Sequence, residues 1–128
     1  MRTGVRVSVF LLLLTSAAAT AGDDGGQDKS VAVHATAYNS VPQQTSGQPN
    51  VGAWGDRLEP GMKVIAVSRD LLEMGLTRGT EVSIEGLPGS WRVLDKMARR
   101  WTRRIDLYMG EDIAAARRWG VRKVRISW

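Results

Sequence analysis

Residues 91–108 read WRVLDKMARRWTRRIDLY, and the fold turns on the two ends of this stretch. Trp91 to Asp95 and Ile105 to Tyr108 are short runs rich in β-branched and aromatic residues, the composition of strands with at least one buried face. Working outward, Lys63 to Val67 and Thr80 to Ile84 read as two further short strands, the second following the Arg78-Gly79 turn. Arg69 to Met74 gives one or two helical turns. Val31 to Tyr38 alternates, with Val31, Val33, Ala35 and Ala37 on one face and His34, Thr36 and Tyr38 on the other. Val121 to Trp128 alternates as well, Val124 and Ile126 sharing a face with Arg122 and Trp128. One proper helix is predicted from Glu111 to Trp119, with Glu111 and Asp112 in its first turn, Arg117 and Arg118 in its last and Gly120 as its stop. Six short strands with one or two short helices predict a mainly β chain closed into a small barrel.

The chain has 128 residues, 43% of them apolar and 24% charged, which is globular composition and suits a single domain. Arg2 and Arg6 precede an apolar run from Val7 that ends in Ala19-Thr20-Ala21, the layout of a secretory signal peptide. The competing reading is an N-terminal core helix. Export through the Sec route, a flexible polar leader at 22–30 and a folded domain at 31–128 are therefore expected, with the product soluble in the periplasm or outside the cell. The apolar run is too short for a membrane span of about 20 residues, so no integral segment is expected after cleavage. There is no cysteine, which excludes disulfides, thiolate metal sites and a cysteine nucleophile.

Charge is divided unevenly. Residues 22–90 carry nine acidic and five basic side chains, whereas residues 91–128 carry eleven basic and four acidic ones. In a cytosolic protein such a cationic third suggests nucleic acid; for an exported chain an anionic envelope glycan is the expected partner instead. A merely solvated basic face is the alternative.

With His34 the sole histidine, neither a Ser-His-Asp triad outside it nor a histidine metal cluster can be assembled, so carboxylates must carry any acid-base work. Asp95 and Asp106 qualify because each lies in an apolar strand. A carboxylate so placed must be hydrogen-bonded or paired, or its pKa rises. Asp106 shares a strand face with Arg104 and Tyr108, so an Asp–Arg surface pair is the competing reading.

Taken together, A-T-A-Y at 35–38, Q-T-x-G at 44–47, I-A-V at 65–67, V-L-D-K-M ending at Met97, R-I-D-L-Y at 104–108 and A-x-R-x-W-G-x-R-x-V from Ala115 to Val124 resemble the three-aspartate, or 3D, domain. That family is a six-stranded double-psi β-barrel of bacterial cell-wall enzymes, similar to the catalytic barrel of membrane-bound lytic transglycosylase A and, more distantly, to rare lipoprotein A and the expansins. The resemblance implies Asp106 as catalytic acid and Asp95 as its partner in the substrate site. It implies groove-lining positions at Tyr38 and Thr45; Lys96 and Arg104 are expected to contact substrate as well. Two motifs depart from the family. Ser68 stands where its first aspartate follows I-A-V, with Asp70 two positions on, and its D-T-G-G is here Asp95-Lys96-Met97-Ala98.

The implied reaction is non-hydrolytic cleavage of the bond between N-acetylmuramic acid and N-acetylglucosamine in peptidoglycan, with no metal or cofactor. Asp106 first protonates the leaving oxygen and then takes the proton of the muramic 6-hydroxyl. The direction of Arg104 is decisive, since a guanidinium on Asp106 would lower its pKa. The alternative is a non-catalytic, expansin-like glycan-binding module in which Trp54, Trp91 or Trp101 stacks on sugar rings; a structural envelope role is a third. Oligomeric state is not legible.

Overall fold

The computed structural model describes residues 28–40 and 50–128. The expected signal peptide at 1–21, most of the leader and Thr45 lie outside these residues. The strands are β1 (Ser30–Tyr38), β2 (Val64–Val67), β3 (Glu81–Ile84), β4 (Ser90–Lys96), β5 (Arg104–Tyr108) and β6 (Arg122–Ser127), with helices α1 (Arg69–Glu73) and α2 (Ile113–Trp119). The six strands close into a barrel in the order β1-β5-β2-β4-β3-β6. Two neighbouring pairs, β1 with β5 and β2 with β4, run parallel, and the rest run antiparallel. Closure leaves no barrel strand with an unpaired edge.

Alternation decides what fills the barrel. Val33 and Ala35 of β1, Ile65 and Val67 of β2, Val93 of β4, Ile105 and Leu107 of β5 and Ile126 of β6 are each at most 1% exposed and form one core. At roughly 1.5–3 kcal/mol per fully buried Val, Leu or Ile side chain, this core can hold the fold without covalent staples. Trp91 and Trp119 join it from the margins, and the Trp119 indole N–H donates to the Ala35 carbonyl at 2.9 Å.

A second, smaller cluster lies on the outside of the barrel. Val64, Leu94 and Tyr108, all on the outer face, pack with Leu58 from the loop before β2, and Tyr38 and Met62 border them. This cover buries Val64, and Ala66, the other outward residue of β2, is a small side chain flanked by Asp106 of β5 and Asp95 of β4, so all four residues of β2 are buried although alternation alone would expose every second one.

Two local expectations need correction. The second helix begins at Ile113, because Asp112 is its N-cap and accepts the Ala115 N–H at 2.9 Å. A side chain that serves as a cap cannot also occupy the first turn, so Glu111 and Asp112 precede the helix. Gly120 ends it with φ +67°, as expected of a residue free to leave the helix with positive φ. The last strand starts at Arg122, leaving Val121 62% exposed.

Candidate active site

The site is a row of residues across four adjacent strands. In the barrel register Thr36 of β1 lies opposite Asp106 of β5, Asp106 opposite Ala66 of β2, and Ala66 opposite Asp95 of β4. Residues directly opposite one another point to the same side of a sheet. Their immediate neighbours Ile65, Val67, Ile105 and Leu107 fill the interior, so this row faces outward. The two aspartates stand two strand spacings apart, about 10 Å backbone to backbone, with only the small Ala66 between them.

Asp95 reaches this face through an irregularity. Ile65 pairs with Val93 but Ala66 pairs with Asp95, so Leu94 is an extra residue on β4. Val93 points inward, and strict alternation would send Asp95 inward as well. The bulge at Leu94 reverses its direction, a known use of bulges beside functional sites.

The two carboxylates are furnished differently. Asp95 Oδ1 accepts the Ala53 N–H at 2.8 Å and the Lys96 N–H at 2.9 Å, and its Oδ2 accepts the Tyr38 hydroxyl at 3.1 Å. Asp106 Oδ1 accepts the Thr36 hydroxyl at 3.0 Å. Both groups are half-buried. Loss of hydration pushes the Asp106 carboxyl up to about 6; the Thr36 hydrogen bond opposes this, the Asp95 charge adds to it, and the Arg104 charge pulls weakly back. Asp95 is also raised by burial, against its three donors and the Lys96 charge. Burial and the neighbouring Asp95 push the Tyr38 phenol far up, so it remains a hydrogen-bond donor. Asp95 thus has more hydrogen-bond donors for its charge, and Asp106 is the one that keeps its proton up to about 6, well above an ordinary carboxyl.

Arg104 does not pair with Asp106. Its guanidinium lies over the Trp101 ring, 4.4 Å from the centroid. Among the described residues the ion pairs are Arg78–Asp56 and Arg92–Glu81. Lys96 places its ammonium 5.3 Å from the Trp54 ring centroid. The expected substrate contacts Tyr38, Lys96 and Arg104 therefore all border the aspartate row, Tyr38 by direct contact.

Of the three tryptophans considered for sugar stacking, Trp91 belongs to the core at 8% exposed, so its ring is not free to receive a sugar. Trp54 and Trp101 are half-buried at the surface.

Ser68 and Asp70 serve the backbone. Ser68 is fully buried; its Oγ accepts the Arg104 N–H at 3.1 Å, and its own N–H donates to the Arg104 carbonyl at 2.9 Å. Asp70, in the first turn of α1, accepts the Arg103 N–H at 3.0 Å. Neither joins the row.

Two donors at the site are not among the residues expected from the sequence. Thr36 had a signal, since it shares a strand face with Tyr38. Ala53 had none, because it acts through its backbone N–H. That N–H is held in place by close packing of the loop. Gly52 lies against β4 so tightly that a Cβ there would run into the Leu94 carbonyl oxygen.

No group of three or more His, Cys, Asp or Glu residues that could hold a metal ion forms among the described residues, and no helix among them is long and apolar enough to cross a membrane. No family model matches the chain, and no curated protein matches it significantly.

Proposed function

We propose that the protein is an exported peptidoglycan lytic transglycosylase of the 3D type, with Asp106 as the single general acid and base. The observation that carries this reading is the outward-facing Asp106 carboxyl, raised to about 6, free of an arginine partner and set beside a second carboxylate with three donors of its own. Two parallel strand pairs within a closed six-stranded barrel suit the double-psi arrangement that the resemblance implies.

In the first step Asp106 gives its proton to the glycosidic oxygen as the bond to the muramic anomeric carbon breaks. In the second, its carboxylate removes the proton of the muramic 6-hydroxyl, whose oxygen closes on that carbon to give the 1,6-anhydro sugar. One carboxyl suffices because no water is activated, in contrast to hydrolytic glycosidases with two. Asp95 orients the sugar and stabilises the positive charge that develops at the anomeric carbon. A general acid of this kind contributes about 10²- to 10⁴-fold in rate.

The test is release of soluble muropeptides from purified sacculi by wild type and by Asp106→Asn. A loss of at least about 100-fold is expected; equal rates overturn the proposal. Binding to sacculi without any release would favour the expansin-like module.

A further inference from the structure

Residues 96–104 carry five cationic side chains and no acidic one. Arg99, Arg100 and Arg103 are exposed, while Trp101 and Arg104 are half-buried. The guanidiniums of Arg100 and Arg104 both lie against the Trp101 ring, 4.8 and 4.4 Å from its centroid. None of these arginines forms an ion pair among the described residues. The charges of Arg99, Arg100 and Arg103 face solvent, and Arg104 stands on the same face of β5 as Asp106.

The segment is also held rigidly. Met97 N–H donates to the Val67 carbonyl at 2.9 Å, and Arg69 Nε donates to the Met97 carbonyl at 3.2 Å. Trp101 N–H closes a turn on the Ala98 carbonyl at 3.1 Å. At the far end Arg103 adopts φ +48°, the one non-glycine residue with positive φ among those described. That conformation disfavours residues with a Cβ. It persists because Asp70 takes the Arg103 N–H, His34 N–H donates to the Arg103 carbonyl at 3.0 Å, and Ser68 holds both the N–H and the carbonyl of Arg104. Backbone strain fixed by so many partners is a mark of a functional segment.

We propose that the Arg100-Trp101-Arg104 stack, with Arg103, is a subsite for the carboxylates of the peptide stem carried by the muramic sugar. Arg104 and Asp106 are two residues apart on one strand face, about 7 Å. The stem leaves the muramic ring at the sugar whose bond would be cleaved, so a sugar seated at Asp106 with its stem side toward Arg104 brings the stem to this stack. Guanidinium forks match carboxylates in shape and charge, and their stacking on an indole fixes their planes in advance. The identity of this ligand rests on the reading of Asp106 as a muramic-sugar acid.

The test compares binding and cleavage by the full chain. Binding of wild type and R100Q/R103Q is measured on three preparations immobilised on a sensor surface: sacculus fragments freed of phosphate-bearing polymer, the same fragments stripped of stems by an amidase after immobilisation, which leaves only the lactyl carboxylate on each muramic sugar, and fragments retaining the polymer. We expect wild type to bind stem-bearing sacculi about tenfold more tightly than stripped glycan, with the preference fading at high salt. The double variant should lose that preference while binding stripped glycan as wild type does. Equal wild-type binding with and without stems overturns the proposal, as does binding that follows the phosphate polymer. An equal loss on every preparation by a variant with the circular dichroism of wild type also overturns it; if the variant is unfolded, R100Q alone is measured in its place and judged by the same outcomes. Stem preference without any cleavage would sink the transglycosylase reading and leave the anion subsite standing; cleavage without stem preference would do the reverse.

Discussion

Replacing Asp106 with Asn should stabilise the protein above pH 6 and leave it nearly unchanged in strong acid. The ionised carboxylate sits half-buried with one hydrogen-bond donor, and its proton is held to about 6 in the fold against 3.8 ordinarily. Because the folded state holds this proton more tightly than the unfolded one, stability is fully present below about pH 4 and is lost as pH rises through 6. The full difference corresponds to a ceiling of about 3 kcal/mol. Partial exposure of the group reduces this to roughly 2 kcal/mol. Asn has the shape of the protonated acid and can accept the same Thr36 hydroxyl, so it should recover most of that loss. For a domain near 100 residues, 2 kcal/mol is about 10 °C in Tm. Thermal unfolding of wild type and Asp106→Asn at pH 3.5 and pH 7.5, followed by circular dichroism, reads the effect. A gap of about 10 °C at pH 7.5 that closes at pH 3.5 is expected. Equal Tm values at pH 7.5 would show that ionised Asp106 costs the fold nothing, and a gap of the same size at both pH values would assign the effect to packing.

Further outcomes follow from the same geometry. The kcat/KM for sacculus digestion should fall about tenfold per pH unit above 6, since the free protein must present a protonated Asp106; a profile flat to pH 8 would exclude it as the acid. Thr36→Val removes the hydrogen bond that favours ionised Asp106, so the alkaline limb of that profile should move upward by about one pH unit or less, and a downward move would contradict the account. Gly52→Ala drives a Cβ into the Leu94 carbonyl. It should cost about 1–3 kcal/mol in urea unfolding and lower activity by displacing the Ala53 N–H from Asp95; an unchanged midpoint and rate would show that the loop yields freely.

Most of the barrel could be read from residues because alternation and burial agree. Val33 with Ala35, and Val124 with Ile126, follow the expected faces and meet in the core. Asp106 was legible for the same reason: its neighbours Ile105 and Leu107 are committed to the interior. Asp95 is the instructive contrast. Its strand parity points inward, and only the extra residue at Leu94 turns it out, a feature that depends on pairing with β2 rather than on any local pattern. Strand order was equally hidden, since strands of four to nine residues carry no signal of which partner they choose. Asp112 satisfied the criteria for both cap and first turn, and the hydrogen bond to Ala115 decides between them. The role of Ser68 was legible only as a departure from a motif; its hold on Arg104 emerges from two segments 36 residues apart.

In the proposed reaction one carboxyl, Asp106, drives cleavage of the glycan by internal attack of the muramic 6-hydroxyl. Mass spectrometry of the soluble products from purified sacculi tests this most directly, because anhydro ends are lighter by one water than hydrolytic ends. Wild type should release anhydro-muramyl ends, and these should disappear with Asp106→Asn. Reducing muramyl ends, or anhydro products undiminished in the variant, would contradict it.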